Sequence, residues 1–206
     1  METRAVREKE ANMEVLIVVV VVVVVVVVAV LFAFAQINGL RKASIGVEND
    51  FSGITVQLER RTNLIPNLVN TVKGYAKHEA ETLEKVVAQR AASTQMQVTP
   101  ENAAKLAQME GTISGALSRL MAVSEGYPDL KANQNFLQLM AELTDTEDKI
   151  TGARNLYNRS VQNLNVKMET YPSAWFVGLA NVKKAEFFNV SEERQEQIQQ
   201  TPNVEF

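Results

Sequence analysis

Val15 to Ala35 is a stretch of 21 residues without a polar or charged side chain, and Val18 to Val28 within it is an unbroken run of eleven valines. At ~1.5 Å of rise per residue, a helix of this length covers about 30 Å, the thickness of a bilayer's hydrocarbon core. Valine is a mediocre helix former in water, because its branched Cβ crowds the preceding turn. Lipid overrides that preference: an unpaired backbone amide is costly there, and only helices and closed barrels pair them all. An isolated run cannot close a barrel. The sequence therefore predicts a single N-terminal transmembrane helix at residues 15–35, with the lipid bilayer as its partner.

A cleaved signal peptide is the competing reading. Arg4, Arg7 and Lys9 resemble a basic leader, and Ala33-Phe34-Ala35 fits a small-x-small cleavage site. The apolar run exceeds the ~7–15 residues of a typical signal core, which favours an anchor. Arg41 and Lys42 follow the run, with Arg60 and Arg61 farther on, so the positive-inside rule nearly ties and leaves the side of the membrane open. Translation from Met13 would remove the upstream charges and favour a cytoplasmic C-terminal domain. The run holds no Gly, Ser, Thr or ionisable residue, and so no small-residue packing face and no ion relay. It reads as the lipid-facing anchor of a single-pass cell-membrane protein.

Composition narrows the chemistry. The 206 residues include no Cys and one His. Disulfides, thiolate zinc sites, iron–sulfur clusters, a cysteine nucleophile and any site needing two imidazoles are excluded. Of 21 basic and 24 acidic residues, three and four precede the apolar run, leaving an interspersed 18 and 20 behind it. That balance argues against a nucleic-acid partner.

Beyond the anchor the hydrophobic pattern is helical. Between about Ile45 and Arg90, Phe51, Leu58, Ile65 and Val72 recur every seven residues, with Ile54, Leu68 and Tyr75 three places after their neighbours. This is a coiled-coil-like seam, and Arg61 takes a slot that apolar residues fill elsewhere. Pro66 predicts a kink near Asn63–Ile65, and past Tyr75 the register shifts to Leu83, Val86 and Val87. A second helix is expected from Pro100 to Ser124, with Thr99 as N-cap and Leu106, Met109, Ile113, Ala116, Leu120 and Val123 inward. A third runs from Leu130 to Thr170, its stripe of Phe136, Met140, Leu143, Glu147, Ile150, Arg154, Tyr157, Val161, Leu164 and Met168 alternating by four and three. A shorter fourth segment, Ala174 to Phe188, should lie across the bundle. Amphipathic helices joined by short links pack antiparallel. The fold class is thus all-α: an N-terminal tail (1–14), the transmembrane helix (15–35), an elongated antiparallel bundle (36–190) and a polar C-terminal tail (191–206).

Arg61, Glu147 and Arg154 interrupt apolar seams. A buried charge is tolerated only when paired, so they are read as a structural ion-pair network joining the first and third helices. The alternative, Glu147 as a general acid or base held by arginines, lacks a nucleophile, a metal or a phosphate cradle beside it. His78-Glu79 is not followed by the second His of a zinc-protease motif, so His78 reads as a partly exposed helical residue. Asp145, Glu147 and Asp148 lack calcium-loop spacing and read as an exposed acidic face. Trp175 and Phe176 are read as core packing, with a membrane-interface or partner contact as the alternative. No catalytic residue, metal ligand or cofactor site emerges.

The stretch Val56 to Val69, with Arg60-Arg61 followed by Leu64-Ile65-Pro66-Asn67-Leu68-Val69, resembles the signature of the LemA family. It continues with Thr71 to Glu79, including His78 and Glu79, and closes at Ala88 to Ala91 around Arg90. A second similar block runs from Leu143 to Tyr157-Asn158, and a third takes in Ala185 to Phe188 and Pro202 to Phe206. The resemblance covers about residues 38–206; the long N-terminal tail departs from it, which supports Met13 as the start. It implies a prokaryotic protein with one N-terminal span and a helical bundle, without established enzymatic activity, and with a branch associated with magnetosomes. The expected function is a non-enzymatic, membrane-anchored scaffold that self-associates as a homo-oligomer and organises membrane or envelope complexes. The alternatives are an adaptor for a membrane protease, kinase or secretion partner, and an enzyme using the Arg/Glu cluster.

Overall fold

A computed structural model describes residues 2–76, 78–94 and 98–189. The polar tail at 191–206, with the family-like close at Pro202 to Phe206, lies outside the described residues. The fold is all-α, with no strand among the described residues. A single helix, α1 (Glu2–Tyr75), carries both the apolar run and the first arm of the bundle. Its 74 residues make it about 110 Å long at 1.5 Å per residue. Then come α2 (Ala80–Thr94), α3 (Ala103–Glu125), a short α4 (Pro128–Lys131), α5 (Gln134–Glu169) and a one-turn α6 (Val177–Ala180).

α5 returns along α1 in the opposite direction. Asn133 reaches Tyr75, Glu147 meets Arg61, and the Tyr157 ring lies against Phe51, so positions on α1 fall as those on α5 rise. α2 and α3 form a hairpin beside this pair. The apolar stripes meet in two clusters. Near the anchor, Val47, Phe51, Ile54 and Leu58 of α1 pack on Leu106 of α3 and on Ile150, Tyr157, Val161 and Leu164 of α5. At the far end, Ile65, Leu68, Val69 and Val72 pack on Leu83, Val86, Ile113, Leu117, Leu120, Phe136 and Leu143. Val18 to Val28 stay uncovered by the other described residues, as a lipid-facing helix requires.

Several expected boundaries move. The pattern from Ile45 to Arg90 is two helices, because α1 ends at Tyr75 and α2 begins at Ala80. The register shift after Tyr75 is this break seen in sequence. Tyr75 itself is 41% exposed, and its hydroxyl accepts from Asn133 Nδ2 at 2.8 Å. Thr99 makes no side-chain cap; Pro100–Asn102 is a 3₁₀ turn ahead of α3. The third pattern begins as the separate turn α4, and α5 starts at Asn133, whose Oδ1 accepts from the Phe136 N–H at 3.0 Å. The fourth segment is helical only to Ala180. Asn181, at φ 51°, enters the left-handed region that asparagine tolerates, and an extended strap follows.

Pro66 does not end α1. A proline has no N–H, so the carbonyl four residues back, Thr62 C=O, loses its helical donor. Arg90 of α2 supplies the replacement: its Nε donates to Thr62 O at 3.0 Å. The signature proline and the signature arginine thus form one device that clips α2 to α1.

That device predicts a non-additive pair. Arg90→Ala should cost about 1–3 kcal/mol in the parent chain, since it strands a carbonyl. In a Pro66→Ala background the backbone N–H restored at that position reaches Thr62, and the same change should cost less than about half as much. Urea unfolding of the detergent-solubilised full chain, run as a double-mutant cycle, measures it; equal costs would remove the clip.

Candidate functional site

Between the two apolar clusters lies a layer of charge. Arg61, in its seam slot on α1, is 1% exposed. Its Nη1 donates to Glu147 Oε1 on α5 at 2.9 Å and to Ser114 Oγ on α3 at 3.2 Å. Its Nη2 pairs with Glu110, also on α3 and also buried. The Ser114 hydroxyl donates on to Glu147 Oε2 at 3.3 Å. Glu110 and Ser114 stand one helical turn apart, so α3 presents both to the same guanidinium. One arginine therefore joins three helices.

The arrangement departs from the expected trio in two ways. Glu110 is a partner that the sequence reading missed. It lies on the buried stripe Leu106, Glu110, Ile113, Leu117, Leu120, whereas Met109 and Ala116, read as inward, are only half-buried. Arg154 makes no ion pair among the described residues. Its guanidinium lies over the Phe188 ring, 4.8 Å from the centroid, a cation–π contact. Burial first, and then the Arg61 charge, lower the Arg154 pKa from its ordinary value, against the opposing pull of Glu147.

Other sequence candidates disperse. His78 is exposed in the turn between α1 and α2, and half-buried Glu79 accepts from the Tyr127 hydroxyl at 3.5 Å. The acidic trio diverges: Asp145 faces Lys149 at 2.8 Å and Arg60 at 3.7 Å, Glu147 turns inward to Arg61, and Asp148 stays exposed. Asp145 is held below the usual carboxylate range, chiefly by the Lys149 hydrogen bond. Of the signature block, Ile65, Leu68 and Val69 are core, Leu64 and Pro66 half-buried, and Asn67 exposed. Trp175 is not core. It is 71% exposed, a large apolar side chain left uncovered by the other described residues.

Tyr157 and Asn158 hold the strap after α6. Asn158 Oδ1 accepts from the Phe188 N–H at 2.8 Å and its Nδ2 donates to Phe188 O at 3.3 Å. Asn165, seven residues on and so on the same face, treats Ala185 likewise: its Nδ2 donates to the carbonyl at 3.0 Å and its Oδ1 accepts from the N–H at 3.2 Å. Two side-chain amides stand in for a neighbouring strand and satisfy a backbone with no sheet to join. Between them the Tyr157 hydroxyl donates to Glu186 O at 2.8 Å. Tyr157 is fully buried, and desolvation pushes its pKa up to about 12.

An apolar helix long enough to cross a bilayer, continued into an antiparallel helical bundle, defines a membrane-associated α-helical protein. The chain belongs to the LemA family, whose profile matches residues 50–206. It is similar to Protein LemA of Metamycoplasma hominis, 28% identical over 164 residues, 78% of this chain and 71% of that protein. It is also similar to magnetosome protein MamQ 2 of Paramagnetospirillum magneticum, 32% identical over 79 residues, 38% of this chain and 29% of that one. Magnetosome protein MamQ of Magnetospirillum gryphiswaldense is 31% identical over 80 residues, 39% and 29% of the two chains.

The buried groups set two expectations. Arg61→Ala leaves Glu110 charged and unpaired in the interior, and should lower stability by about 3–5 kcal/mol in denaturant unfolding. The double change Arg61→Met, Glu110→Leu should recover most of that loss; a double variant as unstable as the single one would contradict the pairing. For Tyr157, the fold favours the protonated phenol. The stability this confers is whole below the unfolded value near 10 and is lost as pH rises through about 12. Alkaline unfolding monitored by circular dichroism should show that slope in the parent chain and a flatter one in Tyr157→Phe.

Proposed function

We propose that the chain is a non-enzymatic scaffold, tethered to the membrane by the apolar part of α1, that self-associates and holds other membrane or envelope components in place. The observation that carries this reading is the continuity of α1 from the apolar run to the far end of the bundle. A helix with no break carries the position of the anchor to the bundle along about 60 Å of α1, from Ala35 to Tyr75. Confinement to a plane raises effective concentration, so that weak side-to-side contacts suffice for assembly. Exposed Ile45, Val56 and Leu156 offer apolar surface for such contacts.

The charge layer supports a structural role. Arg61 donates to Glu147 and Ser114 and pairs with Glu110; Arg61 and Glu110 are buried among the helices, and Glu147 is half-buried at the edge of the cluster. Likeness to proteins named for the magnetosome agrees with a chain that works at a membrane.

In-membrane cross-linking at native abundance should give a ladder of species larger than one chain, weakened by charged substitution at Val56 and Leu156. A strict monomer removes self-association. A single heteromeric product in its place favours an adaptor that presents the bundle to another membrane protein.

A further inference from the structure

The segment after α5 folds back onto α1 across the boundary of the apolar run. The Phe176 ring sits edge-on to Phe32, with centroids 6.4 Å apart. A few residues later, Arg41 Nε donates to Ala180 O at 3.4 Å. The 3₁₀ turn Ser173–Phe176 and α6 are thus placed along α1 between Phe32 and Arg41, and the apolar run ends between those two, at Ala35. This segment leaves its largest apolar groups uncovered: Tyr171 and Trp175 are 71% exposed and Leu179 68%. The Tyr171 and Trp175 rings tilt together at 5.2 Å.

The depth of this patch follows from length. The run of 21 apolar residues covers about 31 Å, against about 30 Å of hydrocarbon, so there is little slack to slide it. Polar Gln36 and exposed Arg41 and Lys42 bound it on the bundle side. Phe32, one turn inside that end, lies at the outer edge of the hydrocarbon, and Phe176 must lie beside it. We infer that Tyr171, Trp175 and Leu179 form an interfacial foot: they insert into the headgroup region of the bilayer that α1 spans, and so fix the height and tilt of the bundle above the membrane.

The chemistry suits that occupant. Tyrosine and tryptophan combine an apolar ring with a polar edge and concentrate at membrane–water interfaces. Arg41, Lys42 and Lys183, all exposed beside the foot, are placed to meet lipid phosphates. The patch is continuous, through Phe176 and Phe32, with the helix surface that faces lipid. In water the same three side chains would form an apolar face that no other described residue covers. This inference rests on the anchor reading of α1 and adds a second, peripheral attachment.

Trp175 is the only tryptophan in the chain, and it reports on itself. The full chain is reconstituted into phosphatidylcholine vesicles, with lipids brominated either near the carbonyl end or near the methyl end of the acyl chain. Trp175 fluorescence should be quenched more by the shallow bromines than by the deep ones. Aqueous iodide should quench it several-fold less than it quenches a reporter at the far end of the bundle, Leu137→Trp in a Trp175→Phe background. Quenching by iodide equal to that reporter's, with none by bromolipid, overturns the foot. Protection from both quenchers also overturns it, since a second protein surface would then cover the patch. A chain that fails to float with vesicles overturns the anchor itself, and floating distinguishes the two failures.

Discussion

Arg61 is a permanent cation placed where the seam of α1 asks for an apolar side chain. Its burial is possible only because two other helices bring it partners: Glu110 and Ser114 from α3, and Glu147 from α5, close around its own α1. Desolvating one guanidinium is costly, and the mutual attraction offsets that cost only when the geometry is satisfied. The layer therefore divides the core into two apolar clusters and makes a slip along the bundle expensive. Leucine or methionine in the same place would pack as well, but would leave the helices freer to slide by a turn.

The same accounting of polar groups recurs in the backbone. Pro66 strands the Thr62 carbonyl, and Arg90 reaches across from α2 to satisfy it. The strap after Asn181 has neither helix nor sheet to join, and Asn158 and Asn165 pair the N–H and carbonyl of Phe188 and Ala185 while Tyr157 donates to the Glu186 carbonyl. Residues that look like scattered polar letters of a family signature are thus donors and acceptors matched to particular main-chain atoms. Neutral Tyr157 and delocalised Arg154 over Phe188 are forms that survive in such a place. These contacts fasten the final described residues to the helix that returns toward the membrane, and so hold together the end of the bundle nearest the lipid.

Mechanically the chain is a post with a bracket. α1 passes from the apolar run into the bundle without a joint, and the turn at Ser173–Ala180 meets it near the boundary of that run. A tether of this kind restricts where the bundle can point.

The sequence by itself determined the class. Eleven consecutive valines admit only a helix in lipid, and the four-and-three alternation of Phe136 to Met168 admits only a long amphipathic helix. Periodicity also identified Arg61 and Glu147 as charges that would face inward, because a helix repeats its faces regardless of its neighbours. It could not choose between Met109 and Glu110, which stand side by side on α3, since the stripe is fixed by which helix comes to lie against it. Trp175 was assigned to the core on hydrophobicity alone, and only the fold-back onto Phe32 leaves it outside. Likewise Pro66 was legible as a missing N–H, but the donor that replaces it sits 28 residues from Thr62, on another helix. Local rules decide which backbone each stretch adopts. Which distant group answers each buried charge and each orphaned carbonyl is decided only when the helices meet.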